Sequence, residues 1–305
     1  MQAIRRTHCP IIVHAAHHSQ ASDITDINMD CRQPCPPHDS YRPPDCGSAG
    51  GRFTTHASVT PLWFDLGMTE WASLRDACES AEPVPMLLAA IEAAGTDVDD
   101  LWVDLWGRLC HQCTVYSASY AALPALAEMS RRHPPSGYVA ALHLAAAILA
   151  SNAGSGEAAS VRQRYAREIA DLRAIAARNL QYAVDDAAFV YGLQALMAFE
   201  DGGVWQRHLD CLASGELELD CPSCGEHLLL RLDEPEVTLE SYADGSLAPS
   251  AVTPIQPVTA TVEGHPLALA RANIRPAVAD RLSYLFGGSN CPRCHVWIEF
   301  KQTLA

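Results

Sequence analysis

The chain has 305 residues, 49% hydrophobic and 19% charged, enough apolar material for one large domain or two ordinary ones. Its formal net charge of -15 argues against a protein whose main partner is a nucleic-acid backbone or an anionic membrane, and favours a basic protein partner or plain solubility. A secretory leader is not expected, because the apolar patch at residues 10–13 is broken by His14, His17 and His18. The best apolar stretch, residues 138–150, is too short to span a bilayer, so the expectation is a cytoplasmic protein with no membrane contact.

Residues 1–60 hold Cys9, Cys31, Cys35 and Cys46 among prolines and glycines, at irregular spacing and with few residues able to form a core face. The expectation is a disordered segment, or an extension upstream of a true start near Met68, rather than a second metal site.

Residues 61–215 read as consecutive helices. Val84–Ala93 is entered through Pro83 and Pro85, and Val98–Leu109 opens on Asp99 and Asp100, where negative charge suits the helix dipole. Ser117–Arg132 should be kinked by Pro124 and stopped by Pro134 and Pro135. Residues 138–150 are apolar on every side and should form a buried central helix. Val161, Tyr165, Ile169, Leu172 and Ile175 recur at helical spacing with arginines off the stripe. Asp185 or Asp186 should cap the next helix, which Gly202 and Gly203 end, and Val204–Ala213 is a last short one. Hairpins of similar length with short turns predict a mainly α chain, either an α-solenoid of the HEAT kind or a plain helical bundle.

Residues 216–305 change character. Leu217 and Leu219 alternate with acidic residues, Leu228–Leu232 and Val296–Phe300 read as strands, and Leu267–Phe286 reads as helix interrupted at Pro276. Residues 233–258 look like a long acidic, then Pro/Ser/Thr-rich loop. Two matched turns dominate this part: Cys221-Pro222-Ser223-Cys224 and Cys291-Pro292-Arg293-Cys294. Two residues between cysteines let one tight turn aim both sulfurs at one ion, and Gly225 permits a positive φ after the first turn. Two such knuckles, each followed by a strand, predict a closed structural Zn2+ site of the zinc-ribbon type, with the 66 intervening residues accommodated as an insertion. His227 and His295 lie beside the knuckles, where either could replace a sulfur, but both are expected to face solvent instead.

A third C-x-x-C, Cys110-His111-Gln112-Cys113, lies between helices, has no partner knuckle and follows no βαβ strand, so neither a metal nor a redox role is expected of it. Residues 105–124, LWGRLCHQCTVYSASYAALP, resemble a segment typical of uncharacterised bacterial HEAT-repeat-like proteins, in which glycine usually stands where this chain has Cys113. The resemblance extends back to Ser80–Pro85 and forward to both knuckles, including Tyr284-Leu285-Phe286-Gly287, and so covers roughly residues 61–300. It implies an α-solenoid followed by a split zinc ribbon, and no activity. Residues 114–119 read either as an inter-helix turn whose hydroxyls cap the next helix, or as part of a recognition groove lined by His111, Gln112, Tyr116 and Ser119.

No P-loop, H-E-x-x-H, dinucleotide fingerprint or nucleophile elbow occurs in the chain. Residues 61–215 carry 19 acidic and 10 basic residues, and residues 216–305 carry 12 and 6. A non-enzymatic scaffold, adaptor or immunity-type protein for a basic partner is therefore expected. The alternatives are a zinc-ribbon factor acting with nucleic acid and an enzyme whose site is assembled only in the fold.

Overall fold

The structure is a computed structural model and describes residues 69–94, 99–151, 156–256 and 260–304. The N-terminal segment and its four cysteines lie outside the described residues. The architecture is mainly helical with a C-terminal antiparallel sheet. Compactness divides the chain after Ala125, so the helices expected as one domain over residues 61–215 are shared between two units. The change from helix to strand falls at Gly215, inside the second unit.

In the first unit, α1 (Val84–Ala94) buries Val84, Leu88 and Ile91, and α2 (Asp99–Leu109) buries Leu105, Trp106 and Leu109. A two-residue turn then joins β1 (Cys110–His111) to β2 (Thr114–Val115), two strands that helical periodicity did not reveal. Gln112 and Cys113 both take positive φ (48 and 59), the signature of a type I′ hairpin. The loop before α1 is pinned to α2 by a buried ion pair, Asp76 Oδ2 to Arg108 Nη1 at 3.0 Å. Ala77 N–H also donates to the Arg108 carbonyl at 3.0 Å. The expected kink at Pro124 is a full break: α3 (Ser117–Ala121) stops and α4 (Leu123–Arg132) restarts one residue later, since Pro124 has no N–H to return to Tyr120.

In the second unit, α5 (Ala140–Ser151) is buried on every side, as its composition predicts. The amphipathic stripe is realised as two helices, α6 (Gly156–Arg164) and α7 (Ala166–Asn179), separated at Tyr165. Helix α8 (Asp186–Phe199) starts where Asp185 Oδ1 accepts the Ala188 N–H at 2.7 Å. The short α9 (Trp205–His208) and α10 (Cys211–Ser214) follow. Helices α5, α7, α9 and α10 pack on α8, as does the later α12 (Pro276–Leu285).

The sheet is a meander of six antiparallel strands in chain order: β3 (Glu216–Asp220), β4 (His227–Arg231), β5 (Thr238–Ser241), β6 (Ser250–Thr253), β7 (Gly288–Asn290) and β8 (Trp297–Glu299). Strands β5 and β6 lie where the composition suggested only loop. The run Val237-Thr238-Leu239-Glu240 does alternate, and Leu239 is fully buried, but its partners are supplied by other strands. Helices α11 (Gly264–Ala272) and α12 fill the rest of the insertion between the knuckles, with Pro276 at the first turn of α12, where a missing N–H costs nothing. A short helix, α13 (Phe300–Thr303), ends the chain's described part. One sheet face buries Leu217, Leu219, Leu228, Leu230, Leu239, Val252 and Ile298. Helices α10 and α13 pack against β3, and α12 is tied to α9 and α10: Trp205 meets Phe286 edge-on at 4.8 Å, and Arg281 Nη1 donates to the Leu212 carbonyl at 3.1 Å. Among the described residues no helix is long and apolar enough to cross a membrane.

Candidate metal centre

Each Cys-Pro-x-Cys turn is the loop of a hairpin. The first joins β3 to β4, paired as far as Asp220 with His227, and the second joins β7 to β8, paired as far as Asn290 with Trp297. The two loops close in the same way. Cys221 N–H donates to the Glu226 carbonyl at 2.8 Å and Gly225 N–H returns to the Cys221 carbonyl at 2.9 Å. Cys291 N–H donates to the Val296 carbonyl at 2.9 Å and His295 N–H returns to the Cys291 carbonyl at 2.9 Å. Pro222 and Pro292 preset φ at the first turn position. The fourth residue after the first cysteine must be left-handed: Gly225 takes φ 71 freely, while His295 occupies the equivalent place at φ 58.

The meander brings these hairpins together from opposite ends of the sheet. Cys221 Sγ lies 3.7 Å from Cys294 Sγ, Cys224 Sγ lies 3.8 Å from Cys291 Sγ, and all four sulfurs lie within 4.8 Å of one another. The four cysteines that the sequence singles out therefore form one cluster able to hold a metal ion, and it is the only such group among the described residues. Cys221 and Cys291 are buried, whereas Cys224 is exposed.

Backbone amides feed the sulfurs. The Val296 N–H donates to Cys294 and holds its thiol down to about 7. The Glu226 N–H acts on Cys224 in the same direction, but desolvation and the three neighbouring sulfurs together outweigh it and push that thiol up to about 12. Burial raises the Cys291 thiol against donation from Cys294 and Arg293 N–H. Four sulfurs this close resist ionising together, and a cation at their centre removes that repulsion.

Neither neighbouring histidine joins the cluster. His295 is a turn residue. The ring of His227 sits between carboxylates, Nδ1 3.0 Å from Asp220 Oδ1 and Nε2 3.4 Å from Glu218 Oε2, with Tyr242 edge-on at 4.9 Å.

The recognition group is only partly brought to the surface. Gln112 is exposed and His111 and Tyr116 are half-buried, but Ser119 is fully buried. Its Oγ accepts the Tyr116 N–H at 2.8 Å and donates to the Leu109 carbonyl at 2.5 Å. Ser119 is thus a helix-capping residue, a correction to its place in a groove. Cys110 is buried and Cys113 half-buried, and neither belongs to a metal-holding group.

Sequence reasoning missed the residues that join the two knuckles. Arg293, the third residue of the second turn, forms an ion pair with Glu226, which lies two residues after Cys224. Only adjacency to the cysteines marked them, since 67 positions separate the pair. No protein-family model, curated protein or solved structure matches the chain.

Proposed function

We propose that this chain is a non-enzymatic binding protein in which structural zinc braces a sheet whose outer face receives a basic protein partner. The carrying observation is that face. Glu216, Glu218 and Asp220 on β3 and Glu240 on β5 stand in register beside His227 and Arg231 on β4. Exposed Asp233, Glu234 and Glu236 extend the negative charge at the β4–β5 turn. Glu234, Glu236, Glu240 and Arg231 also line an open groove of about 440 Å³.

Zinc suits the quartet on dimensions. A tetrahedron with metal–sulfur bonds of about 2.3 Å has edges of about 3.8 Å, against the 3.7 and 3.8 Å of the two cross-knuckle pairs. Four thiolates leave no open coordination position, so the ion supplies rigidity rather than catalysis. An adaptor or immunity-type protein fits these features, as does the resemblance to HEAT-like proteins. The solenoid arrangement remains one reading of the helices, and the packing of five helices around α8 favours the compact bundle. Zinc ribbons also serve nucleic-acid factors, but an acidic outer face repels phosphate.

The test is capture of partners by the purified, zinc-loaded chain, with Glu234→Lys/Glu236→Lys as comparison. A basic protein should be retained, its association should slow markedly as salt rises, and the double variant should retain less of it, because exposed charges are screened within about 8 Å at physiological ionic strength. Tight binding of a DNA or RNA pool at that ionic strength would replace this reading with the nucleic-acid one.

A further inference from the structure

We infer that Glu226 and Arg293 form an electrostatic clamp that sets the affinity of the four-cysteine site for zinc. The inference rests on the zinc reading above and adds two residues to it. Each of the two does double duty. The main chain of Glu226 builds the first knuckle: its carbonyl accepts the Cys221 N–H at 2.8 Å and its own N–H donates to Cys224 Sγ. The main chain of Arg293 contributes to the second in a different way, its N–H donating to Cys291 Sγ inside the turn. Their side chains then meet, Arg293 Nε on Glu226 Oε2, directly beside the Cys224–Cys291 sulfur pair.

Both ends of the clamp are held. The Glu226 side chain is only 11% exposed and accepts from Ser241 Oγ at the end of β5. Arg293 Nη2 reaches Asp244 Oδ2 at 3.4 Å, and Asp244 is fixed in turn by the Ser246 N–H at 3.1 Å. The chemistry explains the need. Zinc with four thiolates carries two net negative charges, and Arg293 places a cation next to the exposed sulfur, Cys224. Glu226 holds that cation in place and ties a turn at one end of the sheet to a turn at the other. Groups that orient and charge-balance metal ligands in this way commonly change metal affinity about 10- to 100-fold when removed.

The experiment measures zinc affinity of the full chain by competition with a chromophoric chelator, for wild type, Arg293→Gln, Glu226→Gln and Arg293→Lys. Cobalt(II) spectra of each variant report whether four sulfurs still bind. The glutamine variants should lose about 10- to 100-fold in affinity with the thiolate-to-cobalt band retained. Arg293→Lys, which keeps the cation, should recover most of the loss, a result that mere destabilisation of the turn does not give. Glutamine variants within twofold of wild type, or a lysine variant as weak as the glutamine one, overturn the clamp while leaving the zinc site standing. A wild-type chain that holds no zinc overturns both.

Discussion

Gly287 makes the sharpest test of how the sheet builds the metal site. It joins the end of α12 to β7, and its backbone passes so close to β6 that a Cβ there would overlap the Thr253 carbonyl oxygen and lie 3.1 Å from the Tyr284 carbonyl. Its φ is not left-handed; what the position demands is space. Both obstacles are backbone atoms, which cannot swing aside as a side chain does. In Gly287→Ala, restoring ordinary contact requires β6 and β7 to part by on the order of 1 Å in a close-packed interior. The second knuckle begins at Cys291, so the shift reaches two corners of a tetrahedron whose bonds tolerate about 0.2 Å. Overpacking of this kind costs about 1–3 kcal/mol. Falling on the metal-loaded state, that is a loss of roughly 10- to 100-fold in zinc affinity, since about 1.4 kcal/mol is tenfold. Chelator competition reads the affinity, and far-ultraviolet circular dichroism checks that the helices persist. A variant that binds zinc as tightly as wild type would refute the claim that β6–β7 packing positions the second knuckle.

Three further outcomes are expected. Cys221→Ser or Cys291→Ser should abolish stoichiometric zinc, whereas Cys113→Gly should keep it and raise the melting temperature slightly, because a left-handed cysteine costs about 1 kcal/mol that glycine does not; zinc retained in the serine variants, measured by elemental analysis, contradicts the assignment. Burial pushes the Asp210 carboxyl from 3.8 to about 7. A folded-state value above the unfolded one means stability that is full below about pH 4 and lost as pH rises through 7, so Asp210→Asn should stabilise the chain by roughly 2–4 kcal/mol at pH 8 and flatten that part of its pH–stability profile. Asp76→Ala removes the buried partner of Arg108 and leaves it only the exposed Asp104 at 3.0 Å, and should cost about 1–3 kcal/mol in urea unfolding; a loss under about 0.5 kcal/mol would show that the pair is dispensable.

What the sequence disclosed was local. A Cys-Pro-x-Cys turn closes within six residues, so both knuckles and the left-handed Gly225 could be read directly, as could the all-apolar α5 and a cap at Asp185 or Asp186, between which the structure selects Asp185. What it withheld was pairing at a distance. Strands β5 and β6 were hidden because four-residue alternation in an acidic, proline-bearing stretch has no meaning until β4 and β7 flank it. Asp76 and Arg108 sit 32 positions apart, and Glu226 and Arg293 sit 67 apart; neither spacing carries a periodic signal. Ser119 was ambiguous for another reason. A hydroxyl in the first turn of a helix fits a cap or a groove equally well, and only its full burial, with hydrogen bonds to Leu109 and Tyr116, decides the matter.

The split of the site has a consequence for how the chain is made. Sixty-six residues separate Cys224 from Cys291, so at about 5–20 residues per second the first knuckle leaves the ribosome roughly 3–13 s before the second exists. During that interval it is a lone dithiol, able to take up a soft metal weakly or to be oxidised, but lacking the other two corners of its tetrahedron. Capture of one ion by all four cysteines must wait until β5, β6, α11 and α12 have been synthesised and folded far enough to carry β7 across, so under the zinc proposal the ion would be a checkpoint on a completed sheet rather than a seed for starting one.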